Sequence, residues 1–345
     1  MATVLLLTRH FNDNPGTVFQ AYATIELLKR QGHDVTLVDL SDRSYIREIC
    51  KLNGIFMLPA KIKYALFRKR FFKTTKKADR LSKIELPNAD YFVVGSDQVW
   101  NCEVSKNMAL DYFLDGISDK YKKISLASSF GIKDFHHPCI NQIKYSLSKF
   151  KQISVREIEG VSICKSIFGI NAIQLIDPTI ALGDFTRFIN QGPLRNEVLF
   201  YSFRPDGYAN NIVAYISNQI NMPVRRMFVS KKKKYLSAHP YFLGPIEWLN
   251  YIAHSHIVVT DSFHGVVFSL LNHKEFVAVK AHENRFGRIE SLLDYLGLSH
   301  KIVLSLNDLI ANYDKIMTPI DYNNIDELFH NKQKEFIEFI NKNIL

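Results

Sequence analysis

Cysteine is scarce and scattered: Cys50, Cys102, Cys139 and Cys164 show no Cys-x-x-Cys spacing in 345 residues. That pattern offers neither a zinc ribbon nor a disulfide framework. No apolar run approaches the ~18–20 residues that cross a bilayer. The first hydrophobic run, Val4-Leu5-Leu6-Leu7, meets Arg9 and His10 at once. It has no basic leader and no cleavage site, so it reads as a buried strand rather than a signal peptide, and a cytoplasmic protein is expected. No two glycines are separated by a single residue, so the Gly-x-Gly-x-x-Gly dinucleotide fingerprint is missing, and no Gly-Lys-Ser/Thr phosphate loop occurs. No aspartates are spaced i, i+2, which removes the Asp-x-Asp metal clamp. His254-Ser255-His256 is the nearest approach to a metal pair. Without a third ligand it reads as ordinary structural histidine, and no metal is expected. Dehydrogenase, P-loop kinase and metal-dependent sugar transferase all lose ground.

What the chain does have is a hydrophobic fraction of 47% with 23% charged residues, the balance of a folded globular protein. Its length suits two domains. The net charge of +10 is concentrated. Ten basic residues face one acid, Asp79, between Lys61 and Lys83, and six more lie between Arg225 and Lys234 with no acid. Two local patches point to local anionic partners, not to a surface that coats nucleic acid.

Short apolar runs alternate with helical patterns from the start. The run Thr3–Thr8, a polar turn through Asn14-Pro15-Gly16, a helix with Phe19, Tyr22, Ala23 and Leu27 on one face, a stop at Gly32 and a strand at Val35–Leu40 together predict a right-handed parallel crossover. Strands are expected to follow at Tyr91–Val94, Ile124–Ala127, Ile153–Val155 and Ile173–Ile176. After the stretch Gly183–Pro193 a second series is expected at Val198–Tyr201, Val224–Val229, Ile257–Thr260 and Phe276–Val279, with a closing amphipathic helix over Ile325–Leu345. The reading is α/β, with two doubly wound Rossmann-like domains facing a cleft. Residues 1–183 form the first domain, 194–320 the second, and 321–345 a helix packing back. Ligands of such sheets bind beyond the carboxyl ends of the strands, so residues just after strands are the candidates.

Four such motifs stand out. Gly95-Ser96-Asp97-Gln98-Val99-Trp100-Asn101 offers Ser96, Asp97, Gln98 and Asn101 to sugar hydroxyls and Trp100 as an apolar platform for a pyranose; a hydrogen-bonded turn with a core tryptophan is the plainer alternative. Ser154-Val155-Arg156-Glu157 reads as a capping box, Ser154 at the N-cap and Glu157 three residues on. The box leaves Arg156 unexplained, since a cation in the first helical turn opposes the dipole unless a carboxylate or phosphate lands on it. In Asp177-Pro178-Thr179 the aspartate is read mainly as structural, orienting a neighbour. Thr260-Asp261-Ser262-Phe263-His264-Gly265 runs from a buried strand into a helix start, where free amides offer an anion site and His264 a proton carrier. Downstream, Lys280 follows a strand, and Arg285 and Arg288 cluster.

In order along the chain these motifs resemble the polysaccharide pyruvyl transferase family. So do Asn14-Pro15-Gly16 with Gln20-Ala21-Tyr22-Ala23, Ala127-Ser128-Ser129-Phe130-Gly131, and Arg288 with Ser291-Leu292-Leu293 and Leu296-Gly297-Leu298. The resemblance covers most of the chain. It implies a glycosyltransferase B-like fold, phosphoenolpyruvate as donor co-substrate, and no cofactor or metal. It implies catalytic roles for Arg156 and His264. Donor contacts would come from Lys280, Ser262, Gly265 and Arg288, and acceptor contacts from Asn14, Gly16, Ser96, Asp97, Gln98, Trp100 and Asn101. Some branches carry arginine two residues before the histidine, where this chain has Ser262; Arg156, Lys280 or Arg288 must then hold the donor's anionic groups. The implied reaction places pyruvate, as a ketal, on a hydroxyl pair of a sugar in a surface polysaccharide or its lipid-diphosphate-linked precursor and releases phosphate, in the cytoplasm or at the inner face of the membrane. The rivals are a metal-independent glycosyltransferase using a nucleotide-sugar and a non-catalytic sugar-binding protein of polysaccharide assembly. Tyr64, Phe67, Phe71 and Phe72 interleave the basic stretch 61–83, which is either a core-packed helix with a solvated side or a surface that meets an anionic bilayer or a lipid-linked acceptor.

Overall fold

The computed structural model describes residues 1–11, 13–41, 58–203, 208–228, 243–280 and 286–345. The first half opens with β1 (Thr3–Leu7), α1 (Pro15–Arg30) and β2 (Asp34–Leu37). Then come α2 (Leu58–Phe71), β3 (Tyr91–Val94), β4 (Lys122–Ser125), β5 (Phe150–Gln152), β6 (Ser154–Val155), α3 (Ile158–Ile163), β7 (Ile173–Gln174) and α4 (Pro178–Leu182). The second half contains β8 (Arg195–Ser202), β9 (Val224–Phe228), α5 (Pro245–His254), β10 (Ser255–Thr260), α6 (Phe263–Leu271), β11 (Glu275–Val279), α7 (Gly287–Tyr295), β12 (Ile302–Val303) and α8 (Tyr322–Asn343).

Five strands of the first half form a sheet in the order β2-β1-β3-β4-β5, and five of the second in the order β9-β8-β10-β11-β12. Every pairing is parallel. Renumbered within its own half, each order is 2-1-3-4-5, so each sheet reverses direction between its first and third strands. A ligand crevice opens at that switch point. The central strands are buried on both faces, which is why Tyr91–Val94 and Val258–Val259 are unbroken apolar runs.

The structure departs from the predicted strands in one region. Ser154–Val155 and Ile173–Gln174 leave the main sheet and pair with each other as a separate two-stranded sheet. The fifth strand of the main sheet is instead Phe150–Gln152, a half-exposed segment whose one apolar residue, Phe150, packs on Trp100. This shift undoes the capping box. Ser154 sits in a strand, where its hydroxyl donates to Ser125 O at 2.7 Å and accepts from Ala127 N at 3.0 Å. Helix α3 begins only at Ile158, with Glu157 as its N-cap. Arg156 therefore lies before the helix, not in its first turn.

The two halves share a core. Phe19 of α1 meets Phe185 and Phe188 at 5.5 and 5.7 Å between ring centroids, and Trp248 and Phe268 of the second half at 6.2 and 5.2 Å. Helix α8 leaves the second half and returns over the first. Tyr322 Oη donates to Lys274 O at 2.6 Å near its start, and Gln333 Nε2 donates to Ile180 O at 3.0 Å. At its end the Leu345 amide donates to Tyr91 Oη at 3.1 Å.

Candidate active site

The elements around the two switch points converge on one buried cluster of charges. After β1 and a polar turn, α1 starts with Asn14 as N-cap, its Oδ1 accepting from the amides of Gly16 at 2.9 Å and Thr17 at 3.4 Å. Pro15 at the first helical position lacks the amide that would otherwise need a partner there. After β3, Asp97 is held in the left-handed region at φ 74°, uncommon for any residue but glycine. Its carboxylate accepts from the Gln98 amide at 2.8 Å and from Thr17 Oγ1 at 3.1 Å, with Arg9 Nε 3.9 Å away. Burial opposes ionisation of Asp97, but the charges of Arg9, Arg156 and protonated His264 outweigh it and hold the carboxyl below its ordinary value.

Arg156 is the centre of the first half's contribution. Its Nη1 donates to Asp177 Oδ2 at 2.6 Å and its Nε to Glu157 Oε1 at 3.2 Å. Glu157 is fixed in turn by the hydroxyl of Ser129. Burial works against the guanidinium, yet the charges of Glu157, Asp177 and Asp97 raise its pKa further, so it is permanently charged. Two edges of the fork are thus occupied. Among the described residues no partner reaches the third, Nη2, nor the second oxygen of Glu157. Asp177 does double duty: Oδ1 accepts from the amide and hydroxyl of Thr179 at 2.9 and 2.6 Å to cap α4, and Oδ2 faces Arg156.

From the second half, β10 ends at Thr260 and α6 starts behind its N-cap, Ser262. His264, in the first turn, brings Nε2 to 3.8 Å from Asp177 Oδ2, too long for a hydrogen bond and close enough for charge to be felt. Arg156 and His264, 108 positions apart in the chain, share one carboxylate across the two halves. Burial lowers the His264 pKa from its ordinary 6.5 to about 4, with Arg156 and Arg288 adding to the effect and Asp177 and Asp97 opposing it. The imidazole is neutral at neutral pH. Arg288 of α7 and Arg156 both lie on the ring of Phe263, at 5.5 and 4.9 Å from its centroid. Burial and the like charge of Arg156 push the Arg288 pKa down to about 10. Among the described residues no carboxylate makes an ion pair with Arg288. Arg156, Glu157, Asp177, Phe263, Arg288 and Lys332 of α8 line a cavity of about 320 Å³ between the halves.

His264 is accommodated because Gly16 has no side chain. A Cβ on Gly16 would sit 2.2 Å from His264 Nδ1 and 2.8 Å from its Cβ. Alanine favours a helix over glycine by about 1 kcal/mol, so Gly16→Ala would be mildly stabilising if space allowed. We expect the collision to win: a fall in turnover of ~10²-fold, since an ångström of misplacement is enough for that, with overpacking costing ~1–3 kcal/mol in a denaturant titration.

Several expected site residues are placed elsewhere by the structure. Trp100 is fully buried; it stacks on Phe113 at 5.6 Å and donates its indole N–H to Tyr112 O at 3.0 Å. It is a core residue of the first half and no sugar platform. Asn101 caps a short helix, its Oδ1 accepting from Val104 N at 3.2 Å, and Ser96 is fully buried. Gln98 lies across Gly131, where a Cβ would meet its amide nitrogen at 2.0 Å. Ser262 and Gly265 satisfy each other, the Gly265 amide donating to Ser262 Oγ at 3.2 Å, and Thr260 fills the space beside Gly265. That pair is an internal helix cap, so neither is an open anion contact. Lys280 ion-pairs with Glu290 at 2.7 Å, and its carbonyl accepts from the Tyr208 hydroxyl. Arg285 lies outside the described residues. What the sequence reading undervalued is Asp177, which holds Arg156, and Phe263, which carries both arginines. The signals were Asp-Pro-Thr directly after a strand and an aromatic ring wedged between Ser262 and His264.

Two Rossmann-like sheets facing a crevice define a glycosyltransferase B-like protein, and solved structures agree. UGT89C1 of Arabidopsis thaliana superposes with a TM-score of 0.53 at 11% identity over 100% of both chains. The UDP-GlcNAc 2-epimerase of Neisseria meningitidis bound to UDP-GlcNAc gives 0.51 at 10% over 99% of this chain and 100% of that one. The UDP-N-acetylglucosamine 2-epimerase of Rickettsia bellii gives 0.53 at 9% over 100% and 99%. At such identities the likeness shows the fold alone. No curated protein matches the sequence at a significant level. The family is settled by the sequence itself: the polysaccharide pyruvyl transferase model matches residues 14–283, and the chain belongs to that family.

Proposed function

We propose that the protein transfers pyruvate from phosphoenolpyruvate to two hydroxyls of a saccharide in the cytoplasm, forming a cyclic ketal and releasing phosphate. One observation carries the reading. Two arginines face one small interdomain cavity, Arg156 with an N–H edge and Arg288 with a guanidinium that no carboxylate pairs among the described residues, and a neutral histidine lies 3.8 Å from the Asp177 carboxylate that lines the same cavity. A small, highly charged donor fits that arrangement: its carboxylate and phosphate would take Arg156 Nη2 and Arg288.

The chemistry follows from protonation state. Neutral His264 accepts the proton of one acceptor hydroxyl as that oxygen bonds to C2 of the donor, and the proton is delivered to C3, completing addition across the double bond. Asp177 stabilises the imidazolium while it exists. The C2–O bond to phosphate then breaks, phosphate leaving with the electron pair under the arginines. The second hydroxyl closes on C2, and its proton passes through His264 to the departing phosphate. The sugar would enter beside Asp97, Gln98 and the start of α1.

The reading is tested by incubating the protein with phosphoenolpyruvate and a panel of free and lipid-diphosphate-linked saccharides. Phosphate release is followed together with a product heavier by one pyruvate less one water. Release of a nucleoside diphosphate from nucleotide-sugars instead would make the chain a glycosyltransferase; no turnover of either, with saccharide binding intact, would make it a binding protein.

The His264 pKa also predicts a pH profile. The acid limb of kcat/KM should fall near pH 4, not 6.5, because the free enzyme's imidazole stays neutral down to about 4. The sign for stability follows. Between 6.5 and about 4 the unfolded chain binds a proton that the folded chain refuses, so the contribution is complete above 6.5 and is lost as pH falls through that window. Melting temperature measured across it should slope in wild type and less steeply in His264→Gln.

A further inference from the structure

Of the two readings of the basic stretch, a core-packed helix with a solvated side or a surface that meets lipid, the aromatic residues follow the first: the structure turns them inward. Tyr64 and Phe67 of α2 are buried, and Phe67 packs edge-on to Phe19 at 5.5 Å. Phe71 meets Tyr22 and Phe188 at 5.5 and 5.3 Å. Lys63 pairs with Glu247 of the second half, and Arg68 reaches His10 O at 3.3 Å and Asp13 Oδ1 at 3.5 Å. That face packs α2 against α1 and against the start of α5 in the second half.

The opposite face is the anomaly. A helix on the surface of a globular protein normally turns polar residues outward. Here Leu58, Ile62 and Leu66, spaced four apart on one line, are exposed by 37%, 49% and 60%. Ala65 lies between them, also exposed. On the last turn the same line continues as exposed Lys69 and Arg70, followed by exposed Lys73, Lys76 and Lys77. Aliphatic side chains flanked by a cluster of cations match the boundary of an anionic bilayer, where apolar groups enter the acyl region and long basic side chains reach headgroups. No described helix is long and apolar enough to cross a membrane, so contact of this kind would be peripheral.

We propose that the outer face of α2, Leu58–Arg70, docks the protein on an anionic lipid surface while its inner face stays packed on α1 and α5. The inference stands apart from the reaction chemistry. It is tested by co-sedimentation of the full chain with phosphatidylcholine vesicles containing rising fractions of phosphatidylglycerol. Wild type should bind in step with the anionic fraction and release in high salt. Ile62→Gln with Leu66→Gln, and separately Lys69→Gln with Arg70→Gln, should each lower the partition coefficient by about tenfold. Only the second pair should flatten the salt dependence, and neither should change the melting temperature or turnover of a water-soluble acceptor. Binding unaffected by both pairs, or no binding at any anionic fraction, would overturn the proposal. So would a dimer in sedimentation velocity that the Ile62→Gln/Leu66→Gln pair dissolves, since the apolar stripe would then be an interface between copies.

Discussion

Replacing Arg156 by alanine should lower kcat/KM by about 10³-fold, the scale on which a preorganised cation at a developing anion acts. The same change should cost stability. Asp177, 1% exposed, and Glu157, 5% exposed, would be left as buried carboxylates without their cation, and breaking such a pair costs ~3–5 kcal/mol. A structural role alone would produce that second effect, so Arg156→Lys separates the two. Lysine restores the charge between the carboxylates but has no planar fork with a spare N–H edge. Stability measured by denaturant should recover in large part while turnover stays at least about 10²-fold down. Recovery of both would reduce Arg156 to a strut.

His264→Gln should lower kcat by ~10²–10⁴-fold, the range of a lost general base. Donor affinity should change little, because the residues assigned to the donor are Arg156 and Arg288. The fold should tolerate the change well. The imidazole is already neutral, and its Nε2 has no hydrogen-bond partner among the described residues. An amide of similar length therefore gives up little. The comparison with Gly16→Ala is informative, since both act on the same ring, one by deleting it and one by pushing it. Wild-type turnover in His264→Gln would remove the histidine from the proposed chemistry.

The parts of the fold that were legible in the sequence share a physical cause. Strands β1, β3, β8, β10 and β11 are covered on both faces, so each writes itself as an apolar run bounded by a polar turn. Strands β5 and β12 sit at sheet edges and are two or three residues long; Phe150-Lys151-Gln152 has nothing to distinguish it from a loop. The site was legible as a set of post-strand motifs, because the switch points of both sheets place residues such as Asp97 and His264 at the crevice. The direction of each side chain was not legible. In Gly95–Asn101 the turn at Asp97 sends Trp100 into the core, and the letters alone cannot say which way a left-handed residue steers the next three. Ser154 and Glu157 match a capping box letter by letter, yet a strand pairing with β7 claims Ser154 first. Arg288 was among the expected donor contacts, but its place over Phe263 beside Arg156, a contact between residues 25 positions apart, was not legible.

The measurement that bears most directly on the central claim is equilibrium binding of phosphoenolpyruvate, by calorimetry, to wild type, Arg156→Lys, Arg288→Gln and His264→Gln. Two guanidinium groups from different halves gripping one small donor beside an idle base requires that both arginine variants lose affinity by about tenfold or more, while His264→Gln binds as wild type does and fails to turn over. Unchanged affinity in both arginine variants, or preference of the wild type for a nucleotide-sugar over phosphoenolpyruvate, would contradict it.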